Sequence, residues 1–138
     1  MITLRSITKL TKRFYVYILY DGDKPFYVGK GTGNRSREHL SEANRGHECH
    51  KCNKIRKVWR EDRDVTIRYV YQTDAEWRAF KRERDLIAQI GIKNLTNLTY
   101  GGEGKSRYYT PQEIARKEFE AIAKELRVRE ILAREKRL

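Results

Sequence analysis

Residues 14–33 read FYVYILYDGDKPFYVGKGTG, and the fold is decided in this stretch. Phe14–Tyr20 is aromatic and β-branched, Asp21-Gly22-Asp23-Lys24-Pro25 supplies turn chemistry, and Phe26–Gly29 resumes the strand character. The segment predicts a β-hairpin whose second strand is broken by Gly29, Gly31 and Gly33. Asn34 then stands at an N-cap position for a helix to about Asn44, closed by Gly46. Working outward, a second, basic helix is predicted over His50–Arg60, with Ile55, Val58 and Trp59 inward. A third strand follows over Val65–Gln72, with Val65, Ile67, Tyr69 and Tyr71 on one face and Thr66, Arg68, Val70 and Gln72 on the other. Thr73-Asp74-Ala75-Glu76 has capping-box spacing and opens a third helix to Ile90, stopped by Gly91. The turn-rich Asn94–Gly104 belongs on the surface or across a site. Thr110-Pro111-Gln112-Glu113 opens a long amphipathic helix that runs to the C-terminus. The expected division is a domain over residues 1–104 and a basic helix over residues 105–138.

The chain has 138 residues, one domain's worth, and its aromatic and aliphatic content is too high for a disordered segment. No apolar run approaches the roughly 20 residues of a membrane helix, and the N-terminal residues lack a signal-peptide core. The expectation is a soluble intracellular protein, cytoplasmic or nuclear, with no membrane partner. Cys49 and Cys52 are the only cysteines, which excludes a disulfide scaffold but not redox chemistry. The formal net charge is +12, and residues 1–60 hold 14 Lys/Arg against 5 Asp/Glu. A polyanionic partner, nucleic acid first, is indicated, with Lys30, Arg37, Lys54, Arg56 and Lys57 as candidate phosphate contacts. A solvated basic surface accounts for the composition equally well. Residues 105–138 add 10 Lys/Arg against 6 Asp/Glu, with Ala115, Phe119, Ile122, Leu126 and Ile131 at helical spacing.

Four constellations bear on chemistry. Glu83 shares its helical stripe with Ala79, Phe80, Leu86, Ile87 and Ile90. A carboxylate so placed is costly unless it binds metal or pairs with an Arg or Lys, and the pattern leaves both open. Arg35 and His39 lie four residues apart on one helix face, joining a fixed cation to a titratable imidazole; an exposed basic face with an incidental His is the alternative. Gly29-Lys30-Gly31-Thr32-Gly33 lacks the spacing of an NTPase phosphate loop. His47, Cys49, His50 and Cys52 crowd four possible zinc ligands into six residues, too short a segment to reach a tetrahedron comfortably. A loop with reduced thiols is preferred over structural zinc.

Taken together, these positions resemble the GIY-YIG nuclease family. Tyr15-Val16-Tyr17 and Tyr27-Val28-Gly29 match its two signature tripeptides, with Tyr15 in place of the usual first Gly. Arg35 matches its helix arginine, Glu83 its metal-binding glutamate and Asn97 its late asparagine, in order over residues 14–104. His39 is similar to the histidine of the restriction-enzyme branch. The resemblance implies an α+β fold, a small three-stranded antiparallel sheet flanked by helices. It also implies a DNA endonuclease that hydrolyses phosphodiesters with one divalent metal, Mg²⁺ or Mn²⁺, on Glu83.

In that chemistry Arg35 holds the phosphate, and Tyr17 takes a proton from water once nearby cations have lowered its pKa. In the alternative, His39 instead receives the proton through Tyr17; Tyr27 orients the pair, and Asn97 braces the site by hydrogen bonds. The competing class is a nucleic-acid-binding module that keeps the scaffold without activity. Monomer and homodimer are both left open.

Overall fold

A computed structural model describes residues 6–102 and 107–137 of the chain. Strands β1 (Phe14–Asp21), β2 (Lys24–Gly31) and β3 (Val65–Thr73) form one antiparallel sheet in the order β2-β1-β3. Helices α1 (Arg35–Asn44), α2 (His50–Arg60) and α3 (Glu76–Ile90) accompany it, followed by a single 3₁₀ turn at Ile92–Asn94 and a helix α4 over Pro111–Lys136. The fold is α+β: a three-stranded antiparallel sheet with flanking helices and a long C-terminal helix.

The central strand β1 is covered on both faces, which is why Phe14–Tyr20 carries no charged residue. Phe14, Val16, Ile18 and Tyr20 point one way, to Val28 and to Ala79, Leu86 and Ile87 of α3. Tyr15, Tyr17 and Leu19 point the other way, into a second cluster with Phe26, Tyr27, Ala43, Cys52 and Ile55. The sheet therefore separates two small cores, one under α3 and one under α1 and α2.

Several local expectations are corrected. β2 does not stop at Gly29; it continues to Gly31, because Gly29 and Gly31 still pair with Tyr17 and Tyr15 of the central strand. The alternation predicted for β3 holds for Val65, Ile67 and Tyr69 but fails at Tyr71, which joins Val70 on the α3 side. The β1–β3 register shifts between Val16 and Tyr17, and that irregularity turns the rest of β3 over. The Thr73–Glu76 capping box does not form: Ala75 is the N-cap of α3, and Thr73, still in the sheet, accepts from the Ala75 N–H at 3.1 Å instead. Asn34 at the start of α1 likewise makes no side-chain cap. Thr110 does cap α4, accepting from the Glu113 N–H at 3.1 Å, with proline next in the chain.

The chain forms two compact units, residues 1–108 and 109–138. The expected boundary between residues 104 and 105 lies outside the described residues. Within the second unit, α4 carries Arg129–Glu125 and Arg134–Glu130 pairs at 2.7 and 2.8 Å, and Phe119, Ile122, Leu126 and Ile131 are exposed. Among the described residues no helix is long and apolar enough to cross a membrane.

Candidate active site

An open cleft of about 360 Å³ is lined by Tyr17 from β1, Tyr27, Lys30 and Gly31 from β2, Arg35 and Glu38 from α1, and Glu76 and Glu83 from α3. Phe14, Thr32 and Arg107 complete its walls. Chain segments far apart in sequence meet here because β1 is central and both of its faces carry helices. Tyr17 crosses β2 directly over Gly29; a Cβ at Gly29 would stand 2.5 Å from the Tyr17 Cζ and hydroxyl oxygen. Only glycine lets the phenol lie there.

The Tyr17 hydroxyl is hydrogen-bonded to Nε2 of His39, which is fully buried. Tyr27 packs edge-on against the His39 ring, with centroids 5.1 Å apart. Burial pulls His39 down to about 3, helped by the Lys51 and Arg35 cations, so the imidazole is neutral. Burial also pushes the Tyr17 phenol well above its ordinary value; Tyr27 adds to the rise and Arg35 opposes it. The expected lowering of Tyr17 by nearby cations is therefore reversed in the protein alone, because desolvation outweighs Arg35. With the imidazole proton on Nδ1, 4.0 Å from Glu42 Oε2, the phenol donates to Nε2.

Arg35 reaches Glu38 Oε2 at 2.8 Å and Glu42 Oε1 at 3.6 Å, which aims its guanidinium along α1 at the cleft rim. Tyr15 explains why α1 needs no Asn34 cap: its hydroxyl accepts from the Ser36 N–H at 3.1 Å and donates to the Gly33 carbonyl at 2.8 Å. The residue that stands where the family has Gly thus anchors the helix carrying Arg35 and His39.

Glu83 is buried on the apolar stripe of α3, and its Oε1 accepts from the Gly102 N–H at 3.1 Å. Lys30 is also buried, its Nζ 3.8 Å from Glu76 Oε2; burial lowers its pKa, and Glu76 and Glu83 hold it up. Asn97 does not line the cleft. Its amide accepts from the Val28 N–H at 3.0 Å and donates to the Val28 carbonyl at 2.8 Å, bracing the outer edge of β2.

Of the other candidate phosphate contacts, Arg37 and Lys57 are exposed. Lys54 pairs with Asp21 at 3.3 Å, and Arg56 donates to the Ala43 carbonyl at 2.9 Å, tying α2 to α1. Sequence reasoning missed several residues in and beside the cleft, among them Glu38, which pairs with Arg35. Glu76 sits two helical turns before Glu83 on one face, a spacing that signals a shared wall, although its local sequence reads as the end of a capping box. Lys51, whose cation lies 4.6 Å from the Tyr27 ring centroid, and Arg107 carry no local signal. Among the described residues no group of three or more His, Cys, Asp or Glu is placed to hold a metal; Cys49 caps α2 and Cys52 is buried beneath it.

A small antiparallel sheet whose hairpin tyrosines meet a helix arginine and a helix glutamate in one cleft has the architecture of a GIY-YIG domain. The chain belongs to that family: the model of the LEM-3-like GIY-YIG domain matches residues 23–135, from the hairpin turn to the end of α4. It is 34% identical over 82 residues to ankyrin repeat and LEM domain-containing protein 1 of Mus musculus, covering 55% of this chain and 15% of the mouse protein. The Homo sapiens protein of the same name is 34% identical over 86 residues, 55% of this chain and 14% of that protein. The chain thus spans about a seventh of the length of these relatives. No solved structure matches it.

Proposed function

We propose that the chain is a divalent-metal-dependent DNA endonuclease that hydrolyses phosphodiester bonds in the cleft between the hairpin, α1 and α3. The supporting observation is that Tyr17, Tyr27, Arg35 and Glu83 all line that one cleft although up to 66 residues separate them. A buried carboxylate opening onto a polar cleft suits a hard cation, and Glu83 would offer it a hard oxygen donor. Glu83 would hold Mg²⁺ or Mn²⁺, with water and phosphate oxygens as the remaining ligands. The ion would supply charge stabilisation on the pentavalent phosphate and its leaving oxygen.

The chain's own residues do the rest. Arg35 binds non-bridging phosphate oxygens with a planar fork. Tyr17 accepts the proton of the attacking water as its own proton passes to His39 Nε2. The resting site opposes a charged His39, and the phosphate that docks on Arg35 brings the negative charge that offsets this opposition. Tyr27 holds the imidazole edge-on, and Lys30 adds a desolvated cation to the wall.

The test is cleavage of supercoiled plasmid with Mg²⁺ and with EDTA, by the protein and by Glu83→Gln. Nicking or linearisation that needs Mg²⁺ and disappears in Glu83→Gln, with DNA affinity within a few-fold, is expected. Tight DNA binding without cleavage by the unmodified protein would place it in the binding-module class. Cleavage undiminished in Glu83→Gln would remove that carboxylate from the site.

A further inference from the structure

The first turn of α2 holds two cysteines that the cleft chemistry does not use. Cys49 is the N-cap and Cys52 the third helical residue, a Cys-His-Lys-Cys run at a helix start. The Cys52 N–H donates to Cys49 Sγ at 3.2 Å, which fixes that sulfur over the first turn. Three residues of helix rise about 4.5 Å and nearly close a turn, so their Cα atoms lie about 5 Å apart, inside the roughly 4.4–6.8 Å span of a disulfide. The two thiols, both reduced, differ in access: Cys49 is half-buried, whereas Cys52 is fully buried against the core under α1 and α2. Cys49 packs at the margin of the same cluster, and a partly open first thiol beside a fully shielded second one is the arrangement that separates attack from resolution in dithiol exchange.

We propose that Cys49 and Cys52 form a thiol–disulfide exchange site that takes small disulfides of the glutathione type, with Cys49 attacking and Cys52 resolving. The Cys49 thiolate attacks one sulfur of the small disulfide; that S–S bond breaks, and the departing thiolate takes up the proton that Cys49 released. Cys52 then gives its proton to solvent and attacks Cys49 Sγ, and the second small thiolate leaves and is protonated. Two protein thiols are oxidised to one intrachain disulfide, and one small disulfide is reduced to two thiols. Burial pushes the Cys52 thiol up to about 12, with Cys49 contributing, so the second step is slow and the mixed disulfide on Cys49 accumulates first. This site does not depend on the nuclease reading.

The reduced chain is mixed with oxidised glutathione, quenched with acid at intervals, and followed by intact mass, peptide mapping and thiol counting. The expected course is a transient single adduct on Cys49, then a monomer two hydrogens lighter with both thiols lost. Cys52→Ala should stop at the adduct, and Cys49→Ser should give neither product. Circular dichroism checks that Cys52→Ala folds; if it does not, adduct mapping in the unmodified chain together with Cys49→Ser decides. Two persistent thiols, a first adduct on Cys52, or a disulfide between two copies would overturn the proposal.

Discussion

Tyr17 and His39 are hydrogen-bonded to each other beneath the cleft, both almost wholly removed from water, and burial drives their pKa values apart. His39 falls to about 3 while Tyr17 rises, so the pair stays a phenol and a neutral imidazole across the working pH range.

This pair makes the protein sensitive to acid. Unfolded, His39 binds a proton near pH 6.5; folded, it does so only near pH 3. The unfolded chain therefore holds more protons between those values, and stability falls as pH falls through that window. Between pH 7 and pH 5 the loss from His39 is about 2 kcal/mol. Urea unfolding at the two pH values should show a difference that shrinks by about that amount in His39→Gln. An unchanged difference would mean that His39 is not buried neutral.

Tyr17→Phe keeps the ring over Gly29 and removes the hydroxyl. Plasmid cleavage should fall by about 10²–10⁴-fold. Stability should drop by about 1–3 kcal/mol, because His39 Nε2 loses its buried partner. Cleavage rates and urea midpoints measure the two effects separately. If His39→Ala cleaves normally while Tyr17→Phe is inactive, Tyr17 acts without a relay.

Gly29→Ala tests the same hydroxyl from the backbone. Its methyl would meet Tyr17 Cζ and hydroxyl oxygen at 2.5 Å, so the phenol must leave its place. The expected cost is about 1–3 kcal/mol, with cleavage lowered as far as in Tyr17→Phe. A fully active, fully stable Gly29→Ala would show that Tyr17 need not cross β2 there.

Asn97→Ala removes both hydrogen bonds to Val28 without touching the cleft wall. Two backbone groups on β2 lose a shared partner, and the expected destabilisation is about 2–3 kcal/mol by urea unfolding. Activity measured well below the midpoint should fall less than in Tyr17→Phe, because Asn97 holds the strand rather than the substrate. Inactivity in a folded Asn97→Ala would give the amide a chemical role.

What was legible in the sequence is what a short window contains. The hairpin, the extent of α2 and α3, and the place of Glu83 on its apolar stripe follow from turn residues and periodicity, signals that span a few residues. The end of β2, the turnover of β3 at Tyr71 and the failed cap at Thr73 depend on how β1 pairs with its neighbours, which no window holds. In the cleft, helical spacing marks Arg35 and Glu83 separately, and only the family resemblance joins them to Tyr17 as one site. Lys51 over Tyr27 and Arg107 at the wall had no such link. Composition marks Lys54 and Arg56 as candidate phosphate contacts but holds no trace of the Asp21 carboxylate and Ala43 carbonyl that engage them.

The Asn97 amide also bears on how copies of this chain can meet. A three-stranded sheet ends in two strands whose outward N–H and C=O groups could accept a strand from another molecule. On β2, Val28 is already occupied by Asn97, and the Phe26 carbonyl by the N–H and hydroxyl of Thr96 at 2.6 and 3.0 Å. On β3, the Tyr69 carbonyl takes the Ile7 N–H at 2.7 Å, and the Gln72 side-chain oxygen holds the same N-terminal segment by the Thr11 N–H at 2.7 Å. Loops from both ends of the domain thus plug the sheet's margins at mid-strand. Extension of the sheet by a strand from another copy is blocked at those positions.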